Sequence, residues 1–396
     1  MRVWYFTEQS YMPGWSQVEG SIRITPPSRV IDPDIASSLL HRYFDEWAAA
    51  DELGLDIMVN EHHTTFSNLS PSVGLHMAIL ARITQKARLL CLGVPVVNRM
   101  DPFRIAEELA LIDVLSRGRL EFGLIKGTAW ELFSSNMNPV RAMDRLWEAH
   151  DLIVKALTTT DGPFSWEGEY YQYRYVNVYP RCYQQPMPEM WMPTTGAGMG
   201  RTTGQRGYKV ATFMAGYQAK PVYDAYRVGY RETFGRPAPL DRLAYLGMGV
   251  VGHSERQARE RAEKMKVYLA TLARVIPATV NPPGYASVAD NAKALRQNKS
   301  RRGPAMADGR PLPANPSIED LASAGVLFWG TPDQIFDQIR TFYENIGGFG
   351  HFLLEGQAAD LNHAETIDSM TLFAKEVYPR LKELTTTSQS KELENA

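Results

Sequence analysis

A chain of 396 residues with 44% apolar content can bury a large core, and its 42 basic against 44 acidic side chains leave a net charge of −2. That balance excludes the basic stripe of a nucleic-acid binder and favours a small, uncharged or weakly charged substrate. Two cysteines, Cys91 and Cys182, lack CxxC spacing, and no run of about 18 apolar residues marks a membrane span. With no signal-peptide core in MRVWYFTEQS, a soluble cytoplasmic protein without a membrane partner is expected.

Strands and helices alternate from the first residues. Residues 3–6 read as a strand, and 34–53 as a helix whose Leu39, Leu40, Tyr43, Phe44 and Trp47 fall near a 3.6-residue period before Gly54 stops it. A second strand at 55–59 runs into Asn60-Glu61-His62-His63, and Pro71 opens a helix to 84. The third strand is 88–92. Asp101-Pro102 supplies an N-cap and a first-turn proline for the next helix, which ends near Ser116-Arg117-Gly118. A fourth strand at 119–124 and an amphipathic helix at 139–157 follow. The Tyr-rich residues 169–183 then predict a hairpin or capping loop.

Strands five to eight are expected at 189–192, 209–213, 243–251 and 349–354, with a last helix at 364–376. Eight strands with intervening helices give the count of a closed (β/α)8 TIM barrel, one domain over 1–384 with a polar tail at 385–396 expected to fray. Residues 274–317 break the pattern with many prolines and glycines and a basic Asn298 to Arg302 cluster. A patternless stretch of that length after strand seven predicts a lid or a disordered insertion.

Barrel enzymes place their chemistry at the C-terminal strand ends. Those ends carry Glu61-His62-His63, Gly93-Val94 running to Asn98, Lys126-Gly127, and the loop Thr194, Thr195, Gly196, Ala197, Gly198, Met199. The last opens a helix, where backbone N–H groups and the helix dipole suit a phosphate. No Asp or Glu stands between Glu189 and Asp224 to hold a ribose, so a monophosphate fits better than a dinucleotide. Lys126 and Arg141 could balance its charge. Adjacent histidines at a strand end point to opposite faces, so at most one looks into the mouth, which suits general acid or base work better than a metal site. No metal is expected.

The run Glu61-His62-His63, the block Asp101-Pro102-Phe103-Arg104 through Glu107-Glu108 to Ser116-Arg117-Gly118-Arg119, and Phe122-Gly123 resemble the bacterial luciferase family of flavin-dependent monooxygenases. Arg141-Ala142-Met143-Asp144, the Gly-rich loop and Gly330-Thr331-Pro332 extend the likeness over nearly the whole chain. The resemblance implies reduced FMN delivered by a separate flavin reductase, with O2 forming a C4a-peroxyflavin that oxygenates a small, largely apolar substrate. It implies His62 as the catalytic residue, with Glu61, Gly93, Val94, Asn98, Lys126, Arg141 and residues 194–199 around the cofactor. It also implies a non-proline cis peptide at Gly93-Val94 and a homodimer. Ile125 replaces the luciferase cysteine, which argues against light emission, and Lys126 replaces an arginine. Phe6, Phe66 and Trp191 are expected to line the substrate pocket, and the 274–317 stretch to exclude water. The alternatives are an F420-dependent hydride-transfer oxidoreductase on the same barrel and a non-catalytic flavin-binding protein.

Overall fold

The computed structural model describes residues 1–394 apart from 273, 287, 289–290, 293–303 and 305. Its strands are β1 (Arg2–Thr7), β2 (Asp56–Val59), β3 (Leu89–Pro95), β4 (Leu120–Ile125), β5 (Phe164–Glu167), β6 (Gln172–Val176), β7 (Glu189–Pro193), β8 (Lys209–Phe213), β9 (Leu243–Val251), β10 (Leu327–Gly330) and β11 (His351–Gln357). Eight of them pair in parallel as β1-β2-β3-β4-β7-β8-β9-β11, and β11 returns to β1. The sheet therefore closes on itself, the expected (β/α)8 barrel. All eight barrel strands lie where the sequence places them, to within a few residues.

Around the barrel run α1 (Pro33–Glu52), α2 (Val73–Ile83), α3 (Val96–Arg99), α4 (Pro102–Leu115), α5 (Ala129–Ser134), α6 (Ala142–Thr158), α7 (Ala197–Arg206), α8 (Ala219–Phe234), α9 (Glu255–Leu272) and α10 (Pro277–Val280). Local chemistry fixes their starts. Asp32 accepts from the Asp34 and Ile35 amides at 2.9 and 3.1 Å, and Asp101 from the Arg104 amide at 3.0 Å, each with proline next in the chain. Caps of this kind contribute about 1 kcal/mol each.

Alternate strand residues divide between two cores. Trp4, Phe6, Met58, Leu90, Trp191 and Leu353 fill the barrel, whereas Val3, Tyr5, Ile57 and Leu89 face the helices. The α7–α8 packing uses glycine: a Cβ on Gly204 would stand 2.2 Å from the Tyr226 carbonyl, and one on Gly229 the same distance from the Arg201 carbonyl.

Four expectations need correction. β10 is a ninth strand, paired to the outer half of β9, which the four-residue run Leu327–Gly330 was too short to announce. The hairpin starts before the Tyr-rich run, at Phe164, where Glu148 gathers the Trp166 indole and the Tyr170 and Tyr171 amides. The polar tail continues a helix, Tyr378–Glu394, joined to His363–Leu372 by a π-turn at Phe373–Val377. The non-proline cis peptide lies one residue early, at Leu92–Gly93.

The stretch from Arg274 is held down where it is described. Arg274 donates to the Gly20, Trp15 and Val18 carbonyls, and its own carbonyl accepts from the Ile22 amide at 3.0 Å. The Asn298 to Arg302 cluster lies outside the described residues, as does part of the expected lid.

Candidate active site

β2 ends at Val59, so residues 60–63 form a loop and strand alternation does not sort the two histidines. Two buried carboxylates do. Glu131 in α5 accepts from His62 Nδ1 at 2.9 Å and from the His63 amide at 3.0 Å on one oxygen. Its other oxygen accepts from the Thr128 amide and hydroxyl at 2.8 and 2.6 Å. His63 Nε2 turns instead to Glu61 at 3.1 Å, and Glu61 also takes the Val73 amide at 2.9 Å. Glu61 and His63 therefore brace the loop against α2.

A carboxylate only accepts, so His62 Nδ1 carries a proton and Nε2 is the nitrogen left for the mouth. Burial alone would raise the Glu131 carboxyl, but the His62 charge, its hydrogen bond and the Thr128 donors bring it down to about 2. Burial alone would lower His62, yet the Glu131 charge and hydrogen bond outweigh it and raise the imidazole above its ordinary value. The pair is an oriented acid–base dyad at a barrel rim. Sequence reading missed Glu131; its only signal is Thr128-Ala129-Trp130-Glu131, which also reads as a plain capping box.

The adjacent barrel strands β4 and β7 carry the anion-binding candidates. Lys126 follows β4, donates to the Tyr285 carbonyl at 3.2 Å and lies 3.5 Å from the centre of that tyrosine ring. The Tyr285 hydroxyl closes the contact on the Gly127 carbonyl at 3.1 Å. After β7, Thr194 accepts from the Gly196 amide at 3.1 Å, and no side chain caps the first turn of α7. The amides of Ala197, Gly198 and Met199 thus have no intrahelical partner, and Thr195 beside them is exposed. Arg141 is exposed and paired to Asp144 and Glu169 at 3.1 and 3.0 Å, and the residue before it, Val140, packs on Gly284 next to Tyr285.

Between these groups the backbone is stripped of side chains. A Cβ on Gly93 would meet Ile125 Cγ2 at 2.7 Å, and one on Gly127, whose φ is +93°, would meet Asn98 Oδ1 at 2.3 Å. Asn98 itself is buried with neither amide atom hydrogen-bonded among the described residues. The Val94 side chain points the other way, into the outer core.

Of the three expected pocket aromatics, Phe6 lies inside the barrel below the rim, and Phe66 packs with Tyr11, Trp15 and Gly14 under the loop after β1. Trp191 is a correction. It pairs with the first residue of β8 and donates to Glu121 at 2.6 Å beside Lys209 and His351, at the end of the barrel away from the rim. An apolar run one residue off the strand's mouth end conceals that depth.

Fold and rim together define a (β/α)8 enzyme whose rim carries a His–Glu pair beside candidate anion-binding groups. The chain belongs to the luciferase-like monooxygenase family, whose pattern matches residues 30–348. Limonene 1,2-monooxygenase of Rhodococcus erythropolis is 25% identical over 351 residues, 87% of this chain and 82% of that one. The oxygenase component of the flavin-dependent trigonelline monooxygenase of Acinetobacter baylyi is 29% identical over 168 residues, 41% of this chain and 46% of its own. An uncharacterized Sinorhizobium fredii protein is 29% identical over 212 residues, 53% of this chain and 61% of that one. The matches to the last two span less than two thirds of those relatives.

Solved structures agree on the fold. The oxygenating constituent of 3,6-diketocamphane monooxygenase from Pseudomonas putida, in complex with FMN, superposes with a TM-score of 0.71 at 18% identity over 96% of this chain and 98% of that one. An F420-dependent secondary alcohol dehydrogenase gives 0.62 at 16% identity over 95% and 98%.

Proposed function

We propose that the protein is the oxygenase of a two-component system, taking reduced FMN from a separate reductase and inserting one atom of O2 into a small organic substrate. The observation that carries this reading is the His62–Glu131 dyad facing a mouth whose neighbouring wall has the free α7 amides and Lys126 for a phosphate. Flavin fits that wall through Asn98, whose buried amide has no partner among the described residues, while Gly93 and Gly127, where a Cβ would collide with Ile125 and Asn98, let the strand ends pack closely around it. When bound, reduced FMN supplies the two electrons that split O2 between substrate and water.

The protein's own share is positioning and proton control. Lys126, Thr195 and the amides of residues 197–199 hold the phosphate, and backbone around Gly93, Val94 and Gly127 supports the ring. Glu131 holds the His62 Nδ1–H and favours the protonated ring, so that the imidazolium presents its Nε2 proton to negative charge developing in the mouth. The described part of the insertion, from Arg274 to Tyr285, covers the Lys126 edge and keeps water out. Leu75, Ile79 and Ile83 on α2 with Leu111 and Leu115 on α4 form exposed apolar rows, which supports a homodimer through that face. No described helix is long and apolar enough to cross a membrane.

Oxygen uptake tests the reading. With reduced FMN and a panel of cyclic terpenes and ketones, uptake coupled to oxygenated product is expected, and His62→Ala should abolish the coupling while FMN still binds. Turnover on reduced F420 without oxygen uptake would replace this reading with hydride transfer. Flavin binding without turnover on either would leave a carrier.

A further inference from the structure

Two buried charged side chains at the mouth have no task in the reading above. Glu355, near the mouth end of β11, has no partner on either oxygen among the described residues. Burial, and Glu8 beside it, push its carboxyl well above the usual range, so it stays neutral. Arg23, in the loop after β1, has no such escape, because a guanidinium keeps its charge. Its Nε and Nη1 have no hydrogen-bond partner among the described residues, although Glu8 and Glu131 lie within electrostatic reach. Its guanidinium carbon stands instead 4.0 Å from the centre of the ring of Trp130, the residue before Glu131 on α5.

The backbone of the same segment is tied to the histidine loop. Arg23 and Thr65 form an antiparallel bridge, the Ile24 amide donates to the Thr64 carbonyl at 2.7 Å, and the Thr65 hydroxyl donates to the Ile22 carbonyl at 3.2 Å. Thr64 follows His63, whose amide donates to Glu131 at 3.0 Å. The contacts close a ring: Arg23 to Thr65 through backbone, His63 to Glu131 through a hydrogen bond, and Trp130 back to Arg23 through stacking. His62 shares the Glu131 oxygen that closes it.

Strain is stored in this ring. Ile24 and Thr64, both β-branched, adopt left-handed φ of +69° and +54°, where a branched Cβ crowds the backbone. Such conformations persist only where the surroundings over-determine them, and they gather at sites that demand accurate placement. A third segment supplies the restraint. The Arg274 carbonyl accepts from the Ile22 amide at 3.0 Å, and the Arg274 side chain donates to the Gly20 and Trp15 carbonyls at 2.9 and 3.2 Å.

We propose that Arg23 is a positioning residue: clasped to residues 64–65 and seated on Trp130, it sets Glu131 against His62, and Arg274 holds it there. The dyad is complete only while the root of the insertion is docked. The use made of the His62 proton rests on the proposed function, whereas the clasp itself needs no flavin.

A 15N-edited NMR titration of His62, on the full chain without flavin, tests it. The charged groups that face His62 are Glu131 from α5 and Glu8 and Arg23 from the segment after β1; the carboxylates favour the imidazolium and Arg23 opposes it. Charge and positioning therefore predict opposite signs. Were Arg23 to act by charge alone, Arg23→Met would raise the His62 titration. If Arg23 sets Glu131, the loosened pair should lower it by about half a pH unit or more. Trp130→Leu and Arg274→Ala leave Glu131, Glu8 and Arg23 charged and should lower it too. Arg23→Lys, which puts a cation back over the ring, should recover about half of the shift. Arg23→Met combined with Arg274→Ala should shift no further than Arg23→Met alone.

A His62 titration that rises in Arg23→Met, stays at its parent value in Arg274→Ala, or shifts additively in the double variant would overturn the positioning role. An Arg23 that merely stabilised the fold would lower the melting temperature and leave the titration unmoved. Should Arg23→Met fail to fold, Trp130→Leu and Arg274→Ala carry the same comparison. A parent that shows these shifts yet binds no FMN would overturn the flavin reading alone.

Discussion

Replacing Glu131 with glutamine removes the charge beside His62 while keeping the side-chain shape. In the parent, Glu131 ionises near 2 instead of 4.5, which at about 1.4 kcal/mol per pH unit favours the carboxylate in this site by about 3 kcal/mol. Glutamine has one acceptor oxygen for four donors, and its NH2 must face either Thr128 or the His62 side. The sign of each half follows from its shift. Stability from the Glu131 shift is present above about 4.5 and lost as pH falls through about 2. Stability from the raised His62 is present below its unfolded value near 6.5 and lost as pH rises through its folded value. Glu131→Gln should therefore cost most near pH 5 to 6, on the order of 3 kcal/mol in urea unfolding, and less above neutrality. His62, without the Glu131 charge that outweighs its burial, should titrate below its parent value in a 15N-edited NMR titration. An unchanged His62 titration would refute the dyad.

Three further outcomes can be checked. Lys126→Met should weaken FMN by about tenfold in fluorescence titration and riboflavin far less, since riboflavin lacks the phosphate whose charge Lys126 would balance. Gly93→Ala, whose Cβ would stand 2.7 Å from Ile125 Cγ2 and 3.0 Å from the Gly123 carbonyl, should cost about 1 to 3 kcal/mol by chemical denaturation and reduce flavin affinity. Tryptic cleavage between 274 and 317 should slow on adding FMN if that stretch covers the Lys126 edge; an unchanged rate argues against the cover.

Periodicity made the barrel legible because inward and outward residues of each strand serve different cores, and because Asp32, Asp101 and the glycines punctuate the helices. β10 stayed hidden because four apolar residues carry no period of their own. The site divides in the same way. His62, Lys126 and the α7 loop stand directly after barrel strands and could be found by position. Glu131 and Arg23 come from connecting segments, and only tertiary folding brings them to the mouth. Glu355 was within reach, as a charge at the mouth end of an otherwise apolar strand, but the run Phe352-Leu353-Leu354 drew attention to core packing. Trp191 shows the reverse error, since an aromatic on a barrel strand gives no hint of depth.

The Arg274 side chain reaches three carbonyls of the loop after β1, and that loop also carries Arg23. The root of the insertion and the segment that presents Arg23 are thus one mechanical piece, although some 250 residues separate them in the chain. A graft that exchanges the insertion for a relative's version would leave three carbonyls unclamped and Arg23 misplaced. The His62 titration in such chimeras should travel with the pair of segments and not with either one.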